Sequence, residues 1–305
     1  MPRVSVVIPN YNHAPYLDER LGSVLDQTYR DFEVIILDDK SSDNSREVLK
    51  KYRHHPRVSQ IIYNEYNSGT SYKQWYKGIQ ISKGELIWIA ESDDWCDEHF
   101  LELTVPCFED ENVVLAYTSS QFIYDSMIPE KVNLSAVAEY SDGIEFIRNE
   151  MLAKNKIFNA SMAVFRKSRY NDVKELGFLD FKLCGDWMLW TQIINRHKIA
   201  HIPEALNYCR RHPGNLTGKL RKDGLDFIEG LEVLKTGKKY CNNNYPRLKV
   251  YAIWRDRFLD YRKHFSSGTN QKVMKAFLKQ EPPLYLYLHF KKLKKFLKKL
   301  ILGNR

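Results

Sequence analysis

Short apolar runs alternate with segments of helical periodicity over the first ninety residues, and this alternation constrains the fold most. Buried strands are predicted for 4–8, 33–37, 58–63 and 85–90, and helices for 15–27 and 72–82. Strands that alternate with helices form a parallel sheet with right-handed crossovers. The sequence therefore predicts an α/β fold with a mainly parallel sheet flanked by helices.

Acidic residues follow two of the predicted strands. Asp39 ends a pair of aspartates after the second strand, and Asp93 and Asp94 follow the fourth. In open α/β sheets, ligands bind beyond the carboxyl ends of the strands. We therefore expect the functional site at this edge of the sheet.

Asp93 and Asp94, with Glu91 just before them, suit a divalent cation. Mg²⁺ and Mn²⁺ prefer oxygen ligands and take one or two carboxylates from a protein when substrate phosphates supply others. A second interpretation stays open, because Ser92 or Asp93 could cap a helix that begins near Asp97.

Two residues near the predicted strand ends could contact a nucleobase. A fixed carboxylate at Asp39 would accept hydrogen bonds from the N–H groups of the base. Tyr11, two residues after Pro9, could stack on the same base. The alternatives are a turn residue for Asp39 and simple packing for Tyr11.

Four further positions in the second half of the chain could take part in chemistry or ligand binding. Asp186 precedes an apolar helix, where a carboxylate could accept a proton from an attacking hydroxyl group or merely cap the helix. His212 could bind a metal ion or touch a phosphate, and the guanidinium groups of Arg210 and Arg211 suit anionic oxygens. A solvated basic loop is the alternative for this second group.

Net charge and missing motifs narrow the function classes. The formal charge of +9 indicates an anionic partner, yet lysines crowd into 291–299 instead of lining a face with interleaved aromatics. A nucleic-acid partner is therefore not expected. The chain has no Walker phosphate loop, no Gly-x-Gly-x-x-Gly fingerprint and no Gly-rich basic segment typical of a nucleotidyltransferase, which is the alternative enzyme class.

Three segments together resemble the family 2 glycosyltransferases: 4–12 (VSVVIPNYN), 23–39 (SVLDQTYRDFEVIILDD) and 83–94 (KGELIWIAESDD). The resemblance implies a GT-A fold and an inverting transfer from a nucleotide-diphosphate sugar, with UDP expected, assisted by Mn²⁺ or Mg²⁺. Lys40 stands where Gly or Asn is usual, and Glu91 replaces the usual first Asp. The family's Gln-x-x-Arg-Trp signature is absent, which favours addition of one sugar per encounter.

The same resemblance implies a role for each candidate residue. Asp186 is the catalytic base, and Asp94 is the expected metal ligand of an Asp-x-Asp type element. The other implied contacts are Pro9, Tyr11, Asp39 and Asp93 at the nucleotide, Asp93 and His212 at the metal, and Arg210 and Arg211 at the diphosphate.

The chain divides into a catalytic part and a helical end. We expect a GT-A domain over 1–220, with a nucleotide-binding half to about 120 and an acceptor half beyond it, followed by a helical region over 221–305. That region ends in a basic amphipathic helix at 284–302, which could contact a membrane surface or pack on the domain.

Location and acceptor follow from the remaining features. Five cysteines without a Cys-x-x-Cys pair indicate neither a zinc site nor a disulfide framework and fit a reducing compartment. Without a signal peptide or an apolar run of about 20 residues, the chain is expected in the cytoplasm, at the inner face of the membrane if the last helix binds there. The expected acceptor is a saccharide or lipid-linked saccharide of a surface polymer.

Overall fold

The computed structural model describes residues 1–124, 127–129, 132–173, 177–212, 214 and 216–288. Its strands are β1 Val4–Asn10, β2 Phe32–Asp38, β3 Val58–Tyr63, β4 Leu86–Ile89, β5 Trp95–Cys96, β6 Val113–Tyr124, β7 Glu139–Asp142, β8 Ala163–Arg166 and β9 Lys198–Arg211. Its α-helices are α1 Ala14–Leu25, α2 Ser45–Lys50, α3 Ser71–Ile81, α4 Phe100–Thr104, α5 Gly143–Phe146, α6 Lys167–Val173, α7 Gly185–Ile193, α8 Leu216–Lys222, α9 Leu225–Tyr240, α10 Arg247–Tyr261 and α11 Ser267–Gln280.

One mixed sheet organises these elements, with the strand order β3-β2-β1-β4-β8-β6-β9-β5. Strands β1 to β4 are parallel to one another, whereas β8 runs antiparallel to both β4 and β6. Strand β9 is parallel to β6 and antiparallel to β5 and β7. The predicted α/β fold with a mainly parallel sheet is confirmed, and the first four strands lie where the sequence predicts them.

The two faces of the sheet bury separate clusters of side chains. Alternate residues of β1 point to opposite faces, so that Val6 and Ile8 pack with α1 while Val7 packs with α3 and α7. On the second face, the indoles of Trp75 and Trp190 stack with ring centres 6.4 Å apart. Helix α1 therefore covers one face, and α3 and α7 cover the other.

Strand β9 is the main element that the sequence does not predict. Its polar residues and Pro203 give no clear period-two pattern, and its end was interpreted as a basic loop or as a phosphate-binding segment. Pairing with β6 over most of its length, interrupted by register shifts near Ser119, supplies its order. Similarly, the sequence does not predict β5 at Trp95 and Cys96, and the helix expected to begin near Asp97 begins at Phe100.

The region after Asp223 is helical, as predicted, and it shares a core with the sheet. Phe227, Trp254 and Phe277 are fully buried in the same cluster as Trp187 of α7. Gly230 allows this approach, because a Cβ atom there would lie 3.1 Å from both the Trp187 and the Trp254 ring. Helices α9 to α11 therefore form an outer layer over α7.

The predicted basic helix is described only at its beginning. Residues 282–288 are helical, and Leu284 and Leu288 are buried against the core formed with α10 and α11. The lysine-rich part at 291–299 lies outside the described residues. Within the described part of the chain, no helix is both long and apolar enough to cross a bilayer.

Candidate functional site

Four segments meet at the carboxyl edge of the parallel strands. They are the turn after β1 that leads into α1, the turn after β2 with Asp39, the acidic turn after β4 with Asp93, and the end of β9 with His212. Since parallel strands end at one edge of a sheet, segments far apart in the chain come together there.

His13, Asp93 and His212 form the group best suited to a metal ion. One donor atom from each lies within 4.8 Å of the other two. The Nε2 atom of His212 is 3.2 Å from an Asp93 oxygen, and the Nδ1 atom of His13 is 2.8 Å from the Ser92 hydroxyl. The Tyr16 ring packs on His212 with ring centres 4.8 Å apart. Two imidazoles and one carboxylate thus converge from three segments.

The protonation states in this cluster favour cation binding. Desolvation lowers the pKa of His13, so that its imidazole is neutral near pH 7. Although burial opposes it, the hydrogen bond from His212 and the charges of both histidines lower the pKa of Asp93. Neutral imidazole and ionised carboxylate are the forms that bind metal ions.

Asp94 has a different environment from its neighbour. One of its oxygens accepts from Asn159 Nδ2 at 2.7 Å and from the Ser161 hydroxyl at 3.0 Å, and the other accepts from the Arg210 backbone N–H at 3.0 Å. Burial and the charge of Asp93 raise its pKa to about 6. The structure therefore brings Asp93 and His212 together as predicted and pairs both Asp94 oxygens with protein donors.

Glu91 begins the acidic turn and is held by an indole. The Trp75 Nε1–H donates to its carboxylate at 2.8 Å, and the buried Arg20 donates to its backbone oxygen at 2.8 Å. Burial, with the charges of Asp93 and Asp94, raises the pKa of Glu91 to about 8. Near pH 7 this carboxyl group is therefore largely protonated, which reduces the negative charge of the turn.

Asp39 is buried at the edge, and its carboxylate organises the loop before α3. It accepts from the Ser68 backbone N–H and hydroxyl, from Asn64 Nδ2 at 2.7 Å and from Gln74 Nε2 at 2.8 Å. Lys40 follows with a positive φ of 61°, the conformation that Gly or Asn adopts with less strain.

The other residues predicted at the nucleobase differ in exposure. Pro9 is buried within β1 opposite Leu37, whereas 46% of Tyr11 is exposed just beyond the strand. The Lys40 ammonium lies 5.1 Å from the ring centre of Tyr66, which is 77% exposed. Tyr11 and Tyr66 are thus the accessible aromatic faces next to the Asp39 loop.

Asp186 lies in the first turn of α7 on the face that α3 also covers. One oxygen accepts from the Trp187 backbone N–H at 2.7 Å and the other from Asn155 Nδ2 at 2.9 Å. Cys184, not Asp186, occupies the N-cap position of the helix. Burial raises the pKa of Asp186 to about 7, in spite of the nearby charge of Arg221. A carboxylate with this pKa can accept a proton near neutral pH.

Two side chains fix the loop in front of Asp186. The Tyr72 hydroxyl donates to the Leu183 oxygen at 2.9 Å and accepts from the Gly185 N–H at 3.1 Å. The Glu229 carboxylate in α9 accepts from three successive backbone N–H groups, at 2.8 to 2.9 Å, those of Lys182, Leu183 and Cys184. The loop is therefore held from the sheet side and from the C-terminal helices.

The two arginines at the end of β9 have different surroundings. The Arg210 guanidinium donates to the Asp93 backbone oxygen, pairs with Glu19 and lies 4.3 Å from the Trp95 ring centre. Arg211 instead lies 4.0 Å from the ring centre of Phe122. Arg210 thus supports the acidic turn, whereas Arg211 packs on an aromatic ring of β6.

Sequence reasoning did not identify several of these residues. His13 carried a usable signal, because it follows the first strand at the edge where the ligand was expected. Asn155, Asn159 and Glu229 gave none, since they lie in an irregular region or on a helix far along the chain. Only the folded chain brings their amides and carboxylate to Asp186 and Asp94.

The sheet order, its two helical layers and the carboxylate-lined edge define an α/β protein of the GT-A class. The sequence model described as Glycosyl transferase family 2 matches residues 5–173, more than half of the chain, and the chain belongs to that family.

Individual relatives agree with this assignment. An uncharacterized glycosyltransferase of Haemophilus influenzae is 28% identical over 227 residues, which cover 72% of this chain and 68% of that protein. A chondroitin synthase of Pasteurella multocida is 35% identical over an alignment that covers 87% of this chain and 31% of that protein. The chain spans only 33% to 46% of the length of three other curated relatives.

A solved structure has the same fold. The structure of S. aureus TarS residues 1–349 in complex with UDP matches with a TM-score of 0.65 and 19% identity, covering 98% of this chain and 86% of that one. At this identity the likeness concerns the fold, which includes the C-terminal helices as well as the sheet.

Proposed function

We propose that the protein is an inverting glycosyltransferase that moves a sugar from a nucleotide-diphosphate sugar to a saccharide or lipid-linked saccharide acceptor. One observation carries the proposal: the Asp186 carboxylate, with a pKa of about 7, lies in the first turn of α7 in a family 2 protein whose sheet edge also holds His13, Asp93 and His212. Surface polysaccharide synthesis is the proposed setting, which the chondroitin synthase relative supports.

The His13–Asp93–His212 cluster fits a divalent cation. Two imidazole nitrogens and one carboxylate oxygen suit Mn²⁺ better than Mg²⁺, because Mg²⁺ strongly prefers oxygen ligands. When bound, the cation would offset the negative charge that develops on the departing diphosphate. Two hydrogen bonds join the acidic turn to β9 and keep Asp93 in place: the Arg210 backbone N–H donates to the Asp94 carboxylate, and the Arg210 guanidinium donates to the Asp93 backbone oxygen.

The donor nucleotide is proposed to lie along the Asp39 loop, with UDP as the expected nucleotide. Asp39 fixes this loop through Ser68, and Tyr11 offers an exposed ring beside it for the base. The bound UDP of the TarS structure supports this nucleotide, since that chain has the same fold.

The chemical step needs a base on the acceptor side. Asp186 takes the proton of the acceptor hydroxyl while the hydroxyl oxygen forms a bond to the anomeric carbon. The bond from that carbon to the diphosphate oxygen breaks, and the diphosphate leaves with the electron pair. Attack opposite to the leaving group inverts the anomeric configuration. Since Asp186 must be ionised, kcat is expected to fall below about pH 7 as this carboxylate takes up a proton.

The first test measures nucleotide release from UDP-, dTDP- and GDP-sugars, with Mn²⁺ or with EDTA, for the wild type and for Asp186→Asn. The variant is expected to lower kcat by about 100-fold or more and to leave the UDP dissociation constant within about twofold. Asp180→Asn is the matched control, because this aspartate is exposed six residues earlier.

Three results would contradict the proposal. An Asp186→Asn variant with most of the wild-type rate would remove the base from the mechanism. With pyrophosphate added, formation of a nucleoside triphosphate and a sugar 1-phosphate in place of the nucleoside diphosphate would indicate a nucleotidyltransferase. Failure of every nucleotide to bind would exclude a nucleotide-sugar donor.

A further inference from the structure

We propose that Phe122, Phe158 and Arg211 form a subsite for an anionic sugar unit of the acceptor. The proposal rests on the function proposed above, in which Asp186 activates the acceptor hydroxyl. It concerns binding only, so that it can be tested without turnover.

Strand β9 sends its two final arginines to opposite faces of the sheet. Arg210 lies on the face of α1, where it pairs with Glu19 and lies 4.9 Å from the Tyr16 ring centre. Because successive residues of a strand point to opposite faces, Arg211 lies on the other face, which α3 and α7 cover. Asp186 in α7 is on that same face.

The Phe122 ring lies next to Arg211, and the Phe158 ring packs against Phe122. The centres of Phe122 and Phe158 are 5.0 Å apart, and the Arg211 guanidinium lies 4.0 Å from the centre of Phe122. Phe158 is 38% exposed, although it belongs to a segment whose neighbour Ile157 is fully buried. An accessible phenyl ring suits the apolar C–H face of a pyranose, since ligand sites combine apolar and aromatic walls with a few polar groups.

The segment that carries Phe158 also contacts the candidate base Asp186 and the acidic turn at Asp94. Asn155 binds Asp186 at 2.9 Å, and Asn159 binds Asp94 at 2.7 Å. Asn155 and Phe158 are three positions apart, so their Cα atoms are at most about 11 Å apart. The same short segment therefore carries a hydrogen-bond donor to the candidate base and the exposed phenyl ring.

The charges around these rings favour an anion. Arg211 forms no ion pair with any residue in the described part of the chain, so its guanidinium donors remain available for a carboxylate or phosphate. Lys154 and Lys156 are exposed on either side of Asn155. The same guanidinium could instead serve the donor diphosphate, which shares this chemistry, and the experiment separates the two sources.

Binding of methyl β-D-glucuronide and methyl β-D-glucoside to the full chain tests the subsite. Saturation-transfer NMR reports sugar binding, and calorimetry reports the UDP dissociation constant. The wild type is expected to prefer the glucuronide. Phe158→Leu should weaken the binding of both sugars at least fivefold, whereas Phe158→Tyr should bind them as the wild type does. Arg211→Gln should remove the preference for the charged sugar. UDP affinity should stay within twofold in all three variants.

Tyr140→Leu is the matched control for loss of an exposed ring. Tyr140 lies in β7 and pairs with Ala200, eleven residues before Arg211 on β9. Wild-type-like sugar binding by Phe158→Leu, or absence of binding to the wild type, would overturn the subsite. A fall in UDP affinity with Arg211→Gln would assign Arg211 to the donor. If the wild type did not bind UDP, the proposed function would be refuted, but the sugar-binding measurement would still test the subsite.

Discussion

Asp93 and Asp94 are adjacent in the chain and contact different groups. Asp93 faces His13 and His212, whereas both oxygens of Asp94 accept from Asn159, Ser161 or the Arg210 backbone. The family resemblance names Asp94 as the expected metal ligand and places Asp93 at the nucleotide and the metal. The geometry favours Asp93 as the metal ligand and Asp94 as the residue that holds the turn against β9.

Substitutions by Asn are expected to separate these roles. Asp93→Asn should weaken Mn²⁺ binding by more than ~10-fold, because loss of a residue that only hydrogen-bonds to a metal ligand already costs about that much. Asp94→Asn places an amide N–H₂ among protein donors, so it should lower the free energy of unfolding by about 1–3 kcal/mol with a smaller effect on Mn²⁺. Mn²⁺ titration by electron paramagnetic resonance and urea unfolding measure the two effects. If Asp94→Asn weakened Mn²⁺ binding more than Asp93→Asn did, Asp94 would be the ligand.

At the scale of elements, α9 and α3 together position the start of α7. Glu229 in α9 accepts from the backbone of the preceding loop, and Tyr72 in α3 bridges Leu183 and Gly185. Gly185 is required there, because a Cβ atom would lie 2.6 Å from the Tyr72 ring. A C-terminal helix beyond the matched family segment thus supports the candidate base.

Glu229→Gln tests this support. Its amide would present N–H₂ to three backbone donors, so the loop should shift, and a displacement of about 1 Å can cost about 100-fold in rate. We expect kcat to fall about 10- to 100-fold with donor affinity unchanged. Water reaching Asp186 would also lower its pKa, which moves the acid limb of the kcat profile below pH 7.

Glu232→Gln is the matched control on the same helix. Glu232 pairs with Lys235 at 3.6 Å on the surface, so the same chemical change should leave kcat and its pH profile as in the wild type. A wild-type kcat and pH profile for Glu229→Gln would exclude a positioning role, whereas the Asp186→Asn result would stand independently.

For the whole molecule, the C-terminal helices belong to the core of the sheet domain. Trp254 of α10 is fully buried, donates to the Leu152 oxygen at 2.8 Å and stacks with Trp187 of α7. The predicted boundary near residue 220 is therefore crossed by continuous packing between the sheet layer and the helical layer.

Trp254→Ala tests this continuity. Loss of a buried indole should lower the free energy of unfolding by about 3–5 kcal/mol, and the protein should still unfold in one transition that shifts as a whole. Leu248→Ala, at a 72% exposed position of the same helix, should change the free energy by less than about 0.5 kcal/mol. Two separate transitions in urea would indicate two independent units.

Residue patterns alone predict the first half of the sheet, the helical end and the sheet edge that holds the candidate site. Local patterns suffice there, because a buried strand and an amphipathic helix each show their period within a few residues. Strand β9, the pairing of His13 with Asp93 and His212, and the support of Asp186 by Asn155 and Glu229 required the tertiary structure. These contacts join residues that are far apart in the chain. The periodicity of apolar residues within a segment does not indicate which distant polar side chains will form contacts.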